Sequence, residues 1–68
     1  MKNGLTEFGK NIKIALIGRG SSQNQLIDEV KQKTGLYFDT SYLNKIMTGQ
    51  RTSSKIVDAI KEILDLNN

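Results

Sequence analysis

Apolar residues recur along this chain three or four positions apart, which is the period of helices that bury one face. The pattern falls into four blocks and predicts helices at about 6–18, from 22 to the residue before Gly35, at 40–47, and from 52–54 to about 66. No segment alternates convincingly enough to predict a strand, and the absence of proline suits a helical fold. We therefore predict one compact all-α domain of four helices, or five if a short extra turn forms.

Residues that cap helices stand at the predicted boundaries. Thr6, Ser22 and Asp39 precede helical blocks, and their side-chain oxygens can accept N–H groups left unpaired at a helix start. Gln25 follows Ser22 at the spacing of a capping box, in which each side chain bonds the other residue's backbone. Gly35 is suited to end the second helix because glycine readily adopts the left-handed conformation required there.

One apolar face of each predicted helix forms the expected core. The short run 36–38 is too brief for a helix, so we expect a loop or extended segment in which Tyr37 and Phe38 fill the core. The end of the chain, 66–68, is expected to fray. The predicted core residues of the helices are Phe8, Ile12, Ala15, Leu16, Leu26, Ile27, Val30, Leu43, Ile46, Met47, Ile56, Val57, Ile60, Ile63 and Leu64.

Some apolar residues do not fit these inward faces. Ile14 and Ile17 lie partly off the inward face of the first helix, and we expect them either to cover the extra length of chain at 31–38 or to form a dimer patch. Leu64 and Leu66 near the end of the fourth helix are the other candidates for a dimer surface.

Composition narrows the chemistry that the domain can perform. Ten Lys and Arg residues against seven Asp and Glu residues give a net charge of +3, and the segment 31–55 is its most basic part. This distribution favours a polyanionic partner near the third helix. The chain has no cysteine and no histidine, so disulfides, thiolate zinc sites and a histidine base are excluded.

Other classes of protein receive little support from the sequence. The carboxylate pairs Asp28-Glu29 and Asp58-Glu62 have helical spacing and resemble solvated faces, and Gly18-Arg19-Gly20 lacks the strand that precedes a phosphate-binding loop. We therefore expect no enzyme activity, no cofactor and no metal. No apolar run is long enough to span a membrane, and no signal-peptide core is present, so a cytoplasmic protein is expected.

A series of short motifs stands in a fixed order along the chain: Phe8-Gly9, Ile12, Arg19-Gly20, Ser22-Gln23, Leu26, Tyr42-Leu43, Ile46, Thr48-Gly49 and Arg51. This ordered set resembles the phage-repressor (XRE-type) helix-turn-helix family of bacterial and phage regulators. The resemblance covers nearly the whole chain and implies a helix-turn-helix at 22–47, with the third helix in the major groove of DNA.

The chain departs from the family pattern between the second and third helices. Val30 and Leu43 are about six residues further apart than the tight turn of the family allows. We expect one or two added helical turns and a longer connection here. Some small regulators from Gram-positive bacteria and their mobile elements are similar in carrying this segment, which reads KTGLYFD in 33–39.

The resemblance assigns base contacts to the exposed start and middle of the third helix. These residues are Thr40, Ser41, Asn44 and Lys45. The side chains suit base recognition, because Asn pairs with adenine, Lys reaches guanine acceptors, and hydroxyl groups adapt to several bases.

Phosphate contacts are implied at two places that flank the third helix. Ser22 and Gln23 begin the second helix, where free N–H groups favour an anion and where the family glutamine also braces the reading helix. The remaining phosphate contacts after the third helix are Thr48, Gln50 and Arg51. Tyr42, within the third helix, faces either the phosphate backbone, to which its hydroxyl group could donate, or the edge of the core.

The expected function is sequence-specific binding of double-stranded DNA by a homodimer that represses transcription by occupying a palindromic operator. The alternative is a protein-interaction module, such as an antirepressor or antitoxin, built on the same scaffold. A third interpretation, binding of single strands or RNA, requires Tyr37 and Phe38 to be exposed for base stacking.

Overall fold

Four α-helices make up the part of the chain that the computed structural model describes, residues 4–66. They are α1 (Glu7–Arg19), α2 (Gln23–Thr34), α3 (Thr40–Met47) and α4 (Ser54–Leu64). Residues 4–66 contain no strand and no fifth helix, so the prediction of an all-α four-helix domain is confirmed. None of these helices combines the length and apolar character that crossing a bilayer requires.

Side-chain caps begin the first three helices, as predicted. Thr6 and Asp39 each accept the backbone N–H of the residue three positions later, at 3.0 Å and 2.8 Å. Ser22 and Gln25 form the complete capping box, with N···O distances of 2.9 Å and 3.1 Å. Ser53, which precedes α4, makes no such bond, so α4 starts without a side-chain cap.

The helix ends differ slightly from the predicted positions. Gly20 ends α1 and Gly35 ends α2, both in the left-handed conformation with φ of 68° and 70°. α4 ends at Leu64 rather than near Leu66, because Asp65 turns the chain with φ 58°. Leu66 is half-buried and packs against the core. Residues 67–68 lie outside the described residues.

The helices pack in pairs that are interleaved along the chain. α2 packs most extensively against α4, and α1 packs against α3; α2 also contacts α3, and α1 also contacts α4. The consecutive pairs α1–α2 and α3–α4 contribute little. Each helix therefore depends on partners from the other half of the chain.

A single apolar core lies between the four helices, and no polar side chain is buried in it within residues 4–66. Most predicted core positions are confirmed, while Phe8, Ala15, Val57 and Ile63 are only partly buried at its edge. The buried apolar side chains are Ile12, Leu16, Leu26, Ile27, Val30, Phe38, Leu43, Ile46, Met47, Ile56, Ala59, Ile60 and Leu64.

The connection at 35–39 was only partly predicted. α2 continues one helical turn beyond Val30, and the chain then reaches α3 through this segment, as the lengthened spacing predicted. Phe38 is buried, but Tyr37 is 74% exposed. The prediction that both aromatic side chains fill the core is therefore right for Phe38 and wrong for Tyr37.

The start of α1 is fixed to the end of α3. The N–H and the hydroxyl group of Thr6 both donate to the carbonyl oxygen of Met47, at 3.0 Å and 3.1 Å. A Cβ atom at Gly9 would lie 2.3 Å from that same oxygen, well inside contact distance. Glycine at position 9 therefore allows α1 and α3 to approach this closely, and it fixes the position of α3 in the domain.

Candidate nucleic-acid interface

The outer face of α3 is polar and exposed. Its inner face buries Leu43, Ile46 and Met47 in the core. The opposite face carries the four residues predicted to contact bases, which lie one and four positions apart and therefore share that face: Thr40, Ser41, Asn44 and Lys45. All four are exposed, and their side chains make no hydrogen bond within residues 4–66, so their donors and acceptors are available to a ligand.

The chain after α3 wraps around the end of the helix. The N–H groups of Gln50 and Arg51 both donate to the carbonyl oxygen of Lys45, at 2.8 Å and 3.2 Å. Gly49 permits this reversal with φ 82°. Gln50 and Arg51 therefore lie beside the end of α3, and both residues are exposed.

Three side chains are stacked between the core and this surface. The buried Phe38 ring meets the half-buried Tyr42 ring at 5.1 Å between centroids and an interplanar angle of 57°. The guanidinium carbon of Arg51 lies 4.3 Å from the centroid of the Tyr42 ring. This cation–π contact holds an otherwise flexible side chain in place. Tyr42, predicted as a phosphate contact, thus has a second role open to it, since its ring supports Arg51.

The start of α3 carries a negative charge that hydrogen bonds hold in place. One carboxylate oxygen of Asp39 accepts the Tyr42 N–H at 2.8 Å, and the other accepts the hydroxyl group of Tyr37. The Tyr37 hydroxyl, the Tyr42 N–H and the nearby positive charge of Lys45 lower the pKa of Asp39. The same bond and the charge of Asp39 raise the pKa of the Tyr37 phenol. Exposed Tyr37 therefore supports the cap of α3.

Replacing Tyr37 with phenylalanine is expected to lower stability most at intermediate pH. Because the pKa of Asp39 is lowered on folding, its ionised carboxylate adds to the free energy of unfolding above about pH 4. This stabilisation is lost as the pH falls through the folded-state pKa. Because the pKa of Tyr37 is raised on folding, its protonated phenol adds to the free energy of unfolding below about pH 10. This stabilisation is lost as the pH rises through the folded-state pKa.

Urea unfolding of the two proteins across this range measures the difference in unfolding free energy. The difference in unfolding free energy should be constant through the neutral pH range and should shrink at both acidic and alkaline pH. Effects of pH that are common to both proteins cancel in this difference. A difference that does not vary with pH would show that the hydroxyl group of Tyr37 does not support Asp39.

The start of α2, at some distance along the chain from Arg51, offers free N–H groups that can bind an anion. The capping box occupies the N–H groups of Ser22 and Gln25, which leaves those of Gln23 and Asn24 without a partner among the described residues. The hydroxyl group of Ser22 accepts a bond in the box and can still donate its own proton. The Gln23 side chain makes no hydrogen bond within residues 4–66, so the bracing of α3 implied by the resemblance is not seen there.

A groove of about 190 Å³ beside Gln23 adds a residue that the sequence did not single out. Its lining includes Lys13, an exposed cation on α1, together with Leu16, Ile17 and Ser21. The family motifs do not include Lys13. A single lysine on a helix is common, so the sequence did not distinguish Lys13 from other surface lysines. Its position beside Gln23 is visible only once α1 and the start of α2 are placed together.

Thr48 is less available than its predicted role requires. Its hydroxyl group donates to the carbonyl oxygens of Asn44 and Lys45, at 3.0 Å and 3.3 Å, and its side chain is half-buried. Contact with a phosphate through this proton would require the hydroxyl group to rotate away from both. In this structure the hydroxyl group of Thr48 therefore stabilises the C-terminal end of α3.

The basic stretch at 31–55 is partly neutralised. The ammonium group of Lys33 forms an ion pair with the carboxylate of Glu62 in α4, at 2.9 Å, and this carboxylate partly neutralises its charge. Lys31 and Lys55 are exposed and make no ion pair within residues 4–66.

No metal site is formed by the acidic side chains of the described residues. Within 4–66, no three Asp or Glu side chains come together to hold a metal ion.

Comparison with known proteins adds no relative to this description. No family model, curated protein or solved structure matches the chain. The geometry of α3 and its surroundings is therefore the basis for any functional conclusion.

Proposed function

We propose that this domain is a DNA-binding transcriptional regulator of the phage-repressor (XRE-type) helix-turn-helix class, with α3 as the reading helix. The observation that carries the proposal is the outer face of α3, where four polar side chains with uncommitted hydrogen-bonding groups project from one rigid helix. Capping by Asp39 and the bonds from Thr6 to Met47 hold that helix at its two ends. A rigid helix with free polar groups is the arrangement that reads base edges in the major groove.

The surroundings of α3 support phosphate binding on both sides. Arg51 stacks on Tyr42 at one end, and its planar guanidinium can hold a phosphate with two hydrogen bonds. Ser22 and Gln23 offer a helix start on another element, with Lys13 beside it. Contacts of this kind fix the register of the protein on DNA while α3 reads the sequence.

The regulator is proposed to act as a homodimer in the bacterial cytoplasm, in the manner of the small repressors of phages and mobile elements. A single reading helix covers few base pairs, so two copies on a palindromic operator are needed for useful selectivity. The proposed mechanism is occupancy of the operator, which excludes polymerase.

Selection from random duplex DNA with the purified protein at two salt concentrations tests this function. We expect an enriched palindromic motif and an affinity that falls steeply with salt. Weak, salt-sensitive binding to all sequences without enrichment would contradict it, and α3 would then be part of a scaffold for another partner.

Replacing Arg51 with alanine should weaken binding to all DNA sequences alike. Loss of one phosphate contact is expected to reduce the slope of log affinity against log salt by about one unit. Lys31 to alanine is the control, since it removes one positive charge from the exposed side of α2. Fluorescence anisotropy across a salt series measures both slopes, and equal slopes for the two variants would remove Arg51 from the interface.

A further inference from the structure

The outer face of α1 exposes two large apolar side chains. Ile14 is 67% exposed and Ile17 is 80% exposed, and the two lie three positions apart on the same side of the helix. Because both side chains are exposed to this extent, neither is buried against the extra length of chain at 31–38, and the expectation that they cover it is wrong. Leu64, another expected dimer residue, is buried in the core and unavailable. Ile14 and Ile17 therefore form the main exposed apolar patch on the helices, within the described part of the chain.

Positive charge surrounds this patch. Lys10 lies four positions before Ile14 and Lys13 lies four positions before Ile17, and both lysines are exposed. Neither they nor Arg19 makes an ion pair within residues 4–66. Glu7 is the acidic residue on α1. We define the basic-apolar face of α1 as Lys10, Lys13, Ile14 and Ile17.

We propose that the basic-apolar face of α1 binds a partner protein through an acidic amphipathic helix. Such a helix would place apolar side chains on Ile14 and Ile17, and its flanking carboxylates would meet Lys10 and Lys13. Helices of this kind dock through residues spaced at one helical face, and complementary charge sets their orientation.

The chemistry of the face disfavours the other occupants. A nucleic acid would satisfy the lysines but leave the isoleucines in contact with charged phosphates. A second copy of this chain would bring an equally basic face, and like charges would oppose the contact. A membrane-binding helix needs a broad apolar face, whereas here two isoleucines form a narrow stripe.

The partner would also reach the proposed phosphate site. Ile17 and Lys13 line the groove that contains Gln23, so a helix seated on the face overlaps with this residue. Resting on the proposed function, this overlap makes partner binding and DNA binding mutually exclusive. The partner would then release the regulator from its operator.

A panel of fluorescein-labelled peptides of about 15 residues tests the proposal, since helices of this length form when they dock. One peptide carries leucines on one helical face with flanking glutamates, the second has lysines in place of the glutamates, and the third has the glutamate sequence scrambled. Anisotropy should show binding of the first peptide alone. The double variant Ile14→Ser and Ile17→Ser should weaken that binding about tenfold or more.

Two further variants make the test specific. Leu36→Ser removes an exposed apolar side chain outside the face and should leave binding unchanged. Lys10→Glu with Lys13→Glu should reverse the preference, so that the lysine peptide binds in place of the glutamate peptide. All substituted residues are exposed, and unchanged thermal unfolding confirms that each variant folds.

Four results would overturn the proposal. They are equal binding of the scrambled peptide, unchanged binding by the double serine variant, a dimer in sedimentation that this variant dissolves, and binding to phosphatidylglycerol vesicles that it abolishes. Peptide binding is measured without DNA, so its failure is separate from failure of the proposed function. Displacement of selected duplex DNA by the glutamate peptide then tests the overlap at Gln23.

Discussion

Replacing Gly9 with alanine is expected to destabilise the domain by about 2–3 kcal/mol, the range of an overpacked interior. The new Cβ would lie 2.3 Å from the carbonyl oxygen of Met47, which is backbone and cannot rotate away. α1 and α3 must then separate, and the two bonds from Thr6 to that oxygen weaken. Urea unfolding measures the loss, which should occur although alanine favours helix by about 1 kcal/mol.

Gly18 provides the control in the same helix. A Cβ atom there meets nothing within 4 Å, so alanine should raise stability by about 0.5–1 kcal/mol through helix propensity alone. The two substitutions are chemically identical and should have opposite signs. Equal effects would mean that α1 and α3 do not approach as closely as described.

Replacing Asn44 and Lys45 together with alanine is expected to reduce affinity for the selected operator by about 100-fold or more. Each side chain is expected to contribute about 1–3 kcal/mol of base discrimination. Both residues are exposed on α3, and alanine is a good helix former, so the fold should be retained. Single substitutions should each loosen one position of the selected motif, which repeating the selection would reveal.

Lys31 and Gln32 give a matched control on the exposed side of α2, where a lysine and an amide are also adjacent. Their replacement by alanine should weaken binding only slightly and leave the selected motif unchanged. If the variant at 44 and 45 keeps the selectivity of the original protein, α3 is not the reading helix.

Local signals made most of the fold predictable from the sequence. The caps at Thr6, Ser22 and Asp39 and the stop at Gly35 depend on residues within three or four positions, so spacing alone located them. The end of α4 was less predictable, because Asp65 adopts a left-handed conformation that this residue type adopts less readily than glycine.

Contacts across a turn were not predictable in the same way. Arg51 stacks on Tyr42 in the preceding helix, and Lys13 of α1 lies beside Gln23 of α2; in each pair a turn separates the two residues, so helical spacing does not bring them together. The candidate reading residues on α3 came from the resemblance and their exposure from the structure. The exposure of Tyr37 follows from its bond to Asp39, which holds the ring outside the core.

The interleaved pairing of the helices means that neither half of the chain is a folding unit. During synthesis α1 and α2 must remain without their partners until α3 and α4 emerge, since each helix packs mainly on one from the other half. A cut within 35–39 would therefore give two fragments that are unstructured alone. Mixed together, the fragments should complement each other, so this small domain can serve as a split reporter whose halves assemble only in each other's presence.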